Sequence, residues 1–213
     1  IGDNVYDVAI VNGNGTYTVN LPKGTYSINA TFAGDEKYLR NNSIVKNLVV
    51  DKISTNITLK IDNTSINVGE NAVISIELNR SINATVKLRI GDNVYDVAIV
   101  NGNGTYTASS LANNTYTINA TFAGDDRYYG NDSNVLTLTV DKIHTSLTIE
   151  VAGYALADED VEIRIESNQN INATVVICIN NTEYYAVGLL NGKGSLTLYN
   201  IAEGNYTIKA TFA

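Results

Sequence analysis

The chain repeats itself, and that bounds what it can fold into. Ile1-Gly2-Asp3-Asn4-Val5-Tyr6-Asp7-Val8-Ala9-Ile10-Val11 recurs identically from Ile90 to Val100. Ile28–Asp35 recurs at Ile118–Asp125, and Asp51-Lys52-Ile53 recurs at Asp141-Lys142-Ile143. The spacing is about 90 residues. A third, more divergent copy carries Asn191-Gly192-Lys193-Gly194 and ends in Ala210-Thr211-Phe212-Ala213.

One whole period runs from Lys52 to Asp141, and its pattern predicts seven strands. They are Thr55–Asp62, Asn71–Asn79, Ala84–Gly91, Val94–Val100, Thr105–Leu111, Thr115–Ala123 and Val135–Val140. Val86, Leu88 and Ile90 alternate with Lys87 and Arg89, so one face is apolar and the other polar. That period of two marks half-buried antiparallel strands, and no helical period of 3.6 competes with it. Asn101-Gly102-Asn103-Gly104 predicts a tight turn, because Asn-Gly tolerates the positive φ angles of type I′. Seven short strands in this length predict an immunoglobulin-like antiparallel β-sandwich, with a sandwich of another topology as the rival. Tyr116-Thr117-Ile118 stands where such domains carry a tyrosine corner, with Ile in place of the usual Cys. Tyr26-Ser27-Ile28 and Tyr206-Thr207-Ile208 repeat it.

The predicted division is residues 1–51 as the last four strands of one repeat, 52–141 as a complete repeat, and 142–213 as a repeat without its last strand. Cut sheets leave unpaired edges, so a window on a longer array is expected, or completion by strands from neighbouring copies. The absence of Met and the start at Ile1 agree with a window. The junction Asp141-Lys142-Ile143-His144 has no Gly, Ser or Pro spacer, which predicts a stiff connection.

A net charge of −8, with only 17% charged residues, disfavours nucleic acid and anionic membranes as partners. No signal peptide or transmembrane run is present in this stretch. The single Cys178 excludes an internal disulfide framework. Polarity comes instead from Asn, Ser, Thr and Gly. Fourteen Asn-x-Ser/Thr sequons occur, at Asn14, Asn29, Asn41, Asn56, Asn63, Asn79, Asn83, Asn103, Asn113, Asn119, Asn131, Asn172, Asn180 and Asn205. Chance would give about five, and the excess points to a secreted, glycosylated chain. Thr-rich outward strand faces would generate some of them without any glycan. Asn103 and Asn113, in turns, are expected to be the most accessible.

The run Tyr116-Thr-Ile-Asn-Ala-Thr-Phe-Ala-Gly-Asp125-Asp-Arg-Tyr128 resembles the bacterial immunoglobulin-like group 3 repeats. The Asn- and Thr-rich version is similar to repeats of adhesin-like surface proteins from methanogenic archaea. The resemblance implies an extracellular stalk or filament repeat on a cell surface, used in attachment and without enzymatic activity. Its expected partners are neighbouring repeats or copies of the same chain, and a host or microbial surface ligand. The competing expectations are a carbohydrate- or protein-binding module, and an accessory domain of a secreted hydrolase.

Other chemistry has a plainer reading beside it. His144 is the only histidine, and Ser54 takes its place in the earlier copy, so a catalytic relay is not expected. Asp125, Asp126 and Asp132 could hold calcium, against the reading of a solvated acidic loop. Val176 and Cys178 replace outward Lys87 and Arg89, which makes that strand apolar on both faces. An interface there competes with cover from within the same repeat. Tyr38, Tyr128 and Tyr129 follow the Gly-Asp turn and are expected to seal the sandwich end, with sugar stacking as the alternative.

Overall fold

The computed structural model describes residues 1–212, and among them every regular element is a strand. The chain forms two compact units, Ile1–Lys142 and Ile143–Ala213.

The first unit carries β1 (Gly24–Ile28), β2 (Thr31–Phe32), β3 (Asn41–Asn42), β4 (Lys46–Val50), β5 (Ile57–Ile61), β6 (Ser65–Asn67), β7 (Ala72–Leu78), β8 (Ala84–Ile90), β9 (Asn93–Ile99), β10 (Asn103–Ala108), β11 (Asn114–Gly124), β12 (Tyr129–Asp132) and β13 (Leu136–Asp141). β5 to β13 make a two-sheet immunoglobulin-like sandwich. One sheet is ordered β5-β7-β10, and the other β6-β13-β11-β8-β9, with β12 on β11. The predicted alternation is what fills the core. Ile74, Ile76, Val86, Leu88, Ile118 and Leu138 have no exposed surface, while Lys87 and Arg89 face outward. Full burial of each large aliphatic side chain contributes about 1.5–3 kcal/mol.

Two elements go beyond the seven predicted strands. The first strand changes sheets: β5 pairs antiparallel with β7, and β6 then pairs parallel with β13. β6 has one inward residue, Ile66, between exposed Ser65 and Asn67, too short a run to show a period. β12 is exposed throughout and has no apolar pattern.

The Asn101-Gly102 turn has positive φ at both residues, 50° and 84°, as type I′ requires. It joins β9 to β10, which lie in opposite sheets, so only one bridge, Val100 to Asn103, closes it. A Cβ at Gly102 would sit 2.5 Å from the carbonyl oxygen of Arg80. All three tyrosine corners form. The Tyr26, Tyr116 and Tyr206 hydroxyls donate to the carbonyls of Pro22, Ala112 and Ala202 at 2.8, 3.1 and 3.0 Å.

Residues 1–51 hold fewer ladders than the four strands expected of them. β1 pairs with β4 and β2 with β3, but residues 1–23 form only the bridge between Val11 and Asn14. Their counterparts in β9 and β10 pair with β8 and β7, and the described residues contain no equivalent partners ahead of Ile1.

The second unit carries β14 (Leu147–Glu150), β15 (Val161–Ser167), β16 (Ala173–Ile179), β17 (Glu183–Leu189), β18 (Lys193–Leu198) and β19 (Ile208–Phe212). Its sheets are β14-β15-β18 and β17-β16-β19, closed over Ile163, Ile165, Val175, Ile177 and Ile179. Among the described residues no counterpart of β6 forms, and Leu156, at the position of Ile66, is 55% exposed. In the first sandwich that position is covered because β6 pairs with β13, and no strand matching β13 stands among the described residues here.

Candidate functional site

The most elaborate side-chain cluster lies where residues 1–51 meet the central sandwich, inside the first unit. Three pieces of chain converge there: the Pro22–Gly24 corner, the Asp51-Lys52-Ile53 linker, and the loop from Gly124 to Gly130.

The loop is self-built. Gly124 has φ of 80°, and a Cβ there would stand 2.5 Å from the Gly130 nitrogen, so only glycine closes it. The Asp125 Oδ1 accepts the N–H groups of Arg127 and Tyr128 at 2.8 and 2.7 Å. This Asx-type turn explains the Gly-Asp-x-x-Tyr spacing. The earlier copy does the same, with Asp35 accepting from Lys37 and Tyr38. Tyr128 packs on the sandwich core.

The linker then joins the loop as a strand. The Ile53 N–H donates to Arg127 O, and the Tyr129 N–H to Ile53 O, both at 2.9 Å. The Thr55 hydroxyl donates to Tyr129 O at 2.6 Å. The Lys52 Nζ donates to Asp125 O at 2.5 Å. Above this backbone ladder sits a charged triad. The Lys23 Nζ donates to the Tyr129 hydroxyl at 2.7 Å, and that hydroxyl donates to Asp51 Oδ1 at 2.6 Å. Lys23 lies 3.2 Å from the same oxygen and 4.6 Å from the centre of the Tyr129 ring. The Tyr129 hydroxyl, then the Lys52 backbone N–H, then Lys23 hold the Asp51 carboxyl down at about 2. Tyr129 and then Asp51 raise Lys23 above its ordinary value. A cleft beside the triad is lined by Leu21, Pro22, Val50, Asp126 and Arg127 among others.

The site therefore fixes one segment against another. His144 is exposed, and its carbonyl accepts a 3.4 Å bond from Gln169. Of the three acids proposed for calcium, Asp125 is committed to its turn, Asp132 accepts the Thr121 hydroxyl at 2.6 Å, and Asp126 lies on the cleft. Among the described residues no group of three or more metal-ligating side chains forms. Val176 and Cys178 alternate with buried Val175, Ile177 and Ile179 and lie half-buried on the opposite face. Cys178 stands across from Tyr184 and Lys209, and its thiol raises the Tyr184 hydroxyl. Of the fourteen sequon asparagines, all are exposed except Asn119, which is half-buried. The Lys23–Asp51–Tyr129 triad was not foreseen. Asp51 sits in a repeated motif, but Tyr129 stands where the first copy has Leu39, and Lys23 and Tyr129 are 106 residues apart.

Residues 59–141 match the model of the bacterial Ig-like domain, group 3. The matched segment runs from within β5 to the end of β13, so the similarity lies in the central sandwich. No curated protein matches the chain. Similar solved structures include the fibronectin(III)-like modules of Clostridium thermocellum CbhA, at 15% identity and a TM-score of 0.34, covering 71% of this chain and 83% of that one. Another is a tetra-tandem repeat from the extending region of a large adhesion protein, at 15% identity and a TM-score of 0.37, covering 89% of this chain. The chain spans 56% of that repeat structure. A third is the alpha-2-macroglobulin of E. coli, at 12% identity and a TM-score of 0.33, covering 84% of this chain and 16% of that one.

Proposed function

We propose that this chain is a structural repeat region of an extracellular, adhesin-like stalk or filament on a microbial cell surface. The Asn- and Thr-rich repeat points to an archaeal one. The observation that carries this reading is the joint. Linker and loop share backbone hydrogen bonds, and the Tyr129 hydroxyl ties Lys23 and Asp51 together. A binding module needs a site. A spacer needs repetition and joints that resist bending, and those are what the sequence duplicates. Asp141-Lys142-Ile143 repeats the linker, and Gly34-Asp35 with Tyr38 repeats the loop. The repeats' own neighbours, in the same chain or in copies of it, are the partners this reading calls for.

Electron microscopy of the native extracellular material tests it. Continuous rods with sandwich-sized beads at a regular spacing are the expected result. Short separate particles, with saturable binding of a sugar or protein at the cleft beside Tyr129, would move the reading to a binding or accessory module.

A further inference from the structure

We propose that Asn83 and Asn172 are N-glycan attachment sites, and that Asn113 and Asn131 are not; this rests on the extracellular reading above. Attachment consumes a particular atom. The Nδ2–C1 bond forms as the anomeric C1–O bond of a sugar activated as a phosphate ester breaks. The electron pair leaves with the phosphate oxygen, and Nδ2 gives up one proton. A sequon whose Nδ2 is committed inside the fold therefore differs from one held by its oxygen.

Asn83 and Asn172 are held by oxygen. Each Oδ1 accepts a backbone N–H of the Asn-Gly turn, from Asn101 and from Asn191, both at 2.8 Å. Pinning the carbonyl fixes the amide plane and leaves Nδ2 without a protein acceptor among the described residues. Both asparagines are exposed, and so are Thr85 and Thr174, the hydroxyls that complete the sequons. Asn113 and Asn131 are held the other way. The Asn113 Nδ2 donates to Val140 O at 2.7 Å, and the Asn131 Nδ2 to Thr55 O at 3.0 Å. Val140 and Thr55 are buried, so one N–H of each Nδ2 is spent on a carbonyl inside the fold, and the amide turns outward only by breaking that bond. Asn113 is thus less available than its place in a turn suggests.

The divergent copy supplies an independent argument. The central sandwich holds eight sequons: Asn56, Asn63, Asn79, Asn83, Asn103, Asn113, Asn119 and Asn131. Ser146, Gly153, Lys193, Glu203 and Lys209 replace Asn56, Asn63, Asn103, Asn113 and Asn119, and Asn168, matching Asn79, is followed by Gln169-Asn170. The chain holds no third-copy match for Asn131, so only Asn83 is again a sequon there, as Asn172. The turn requires the asparagine but not the threonine two residues on, and both copies keep it.

Glycopeptide mass spectrometry of the native chain tests this. Glycan at Asn83 and Asn172, with Asn113 and Asn131 unmodified, is the expected result. Thr85→Val with Thr174→Val should remove glycan from both sites and leave the thermal midpoint of the unglycosylated protein unchanged. Glycan on Asn113 or Asn131, or bare Asn83 and Asn172 beside occupied sequons elsewhere, overturns the proposal. A chain recovered at the cell surface with no glycan at all overturns the proposal alone. A chain found only inside the cell overturns the extracellular reading with it.

Discussion

Residues 1–18 and 90–107 are the same eighteen amino acids in two structural states. In the central sandwich, Val97 and Ile99 are 4% and 1% exposed. Their twins Val8 and Ile10 are 40% and 64% exposed and lie in no strand. Yet the local features coincide. Asn12 and Gly13 turn at φ of 51° and 83°, against 50° and 84° for Asn101 and Gly102. Tyr6 and Tyr17 stack at 4.7 Å, as do Tyr95 and Tyr106. Sequence at this range encodes the turn and the tyrosine pair. The strand itself needs β8 and β7, and only they convert an apolar pattern into burial. Paired substitutions should expose the difference. Ile99→Ala is expected to cost the sandwich about 3 kcal/mol, from lost transfer free energy and the cavity left behind. Ile10→Ala should stay within about 0.5 kcal/mol, as exposed changes do. Urea midpoints of the two variants measure this, and equal shifts would mean that residues 1–18 are packed after all.

The glycines sharpen the same contrast. Gly102 and Gly13 share a left-handed backbone, but a Cβ on Gly102 would meet Arg80 O at 2.5 Å and Leu78 O at 3.1 Å. Gly13 has nothing within 4 Å. Gly102→Ala should therefore combine strain of about 1–2 kcal/mol with a backbone clash, and cost at least about 2 kcal/mol. Gly13→Ala carries the strain alone, in a turn that among the described residues closes only the Val11–Asn14 bridge. Thermal unfolding of the central sandwich should drop for the first variant and hold for the second.

What could be read from sequence follows the same division. The alternation at Val86, Leu88 and Ile90, the Asn-Gly turn and the tyrosine corners are local, and each is found where the pattern placed it. The sheet switch at β6 depends on pairing Ser65–Asn67 with Thr139–Asp141, far along the chain, and its three residues carry no period. The sequon pattern located fourteen asparagines but could not show which amide atom each commits. That depends on carbonyls such as Thr55 O, 76 residues from Asn131. The joint was half legible. Its linker and loop stand out as repeats, but the position of Tyr129 is Leu39 in the first copy, so repetition alone did not mark the hydroxyl.

That hydroxyl gives a third test, smaller than the first two. Tyr129→Phe keeps the ring and the backbone ladder and removes the bridge between Lys23 and Asp51. The loss of local stability should be small, because Lys23, Asp51 and Tyr129 are all open to solvent. Exchange of the Ile53 amide should quicken, and the core amides of β7 and β8 should be unaffected. An unchanged Ile53 rate would mean that the ladder holds the joint without the triad.

Acid should loosen the joint by the same route, more gently. The Asp51 carboxyl is held at about 2, below its ordinary value of 3.8. A depressed acid favours the assembled joint above that ordinary value, and the contribution is lost as pH falls from about 4 through 2. Lys23 is raised above 10.5, so its share is complete below that value and fades as pH climbs past it. Between these limits the joint should be indifferent to pH. All three groups are open to solvent, so salt should weaken the effect. Following the Asp51 carboxyl carbon and the Ile53 amide by NMR from pH 6 to pH 1.5 checks the sign. An Asp51 midpoint near 2, with the Ile53 signal shifting in step, is expected in the wild type. In Tyr129→Phe the midpoint should move back toward 3.8, because the largest cause of the shift has been removed. A wild-type midpoint already near 3.8 would mean that the triad does not persist in solution, and the stiffness of the joint would then rest on the Ile53 ladder alone.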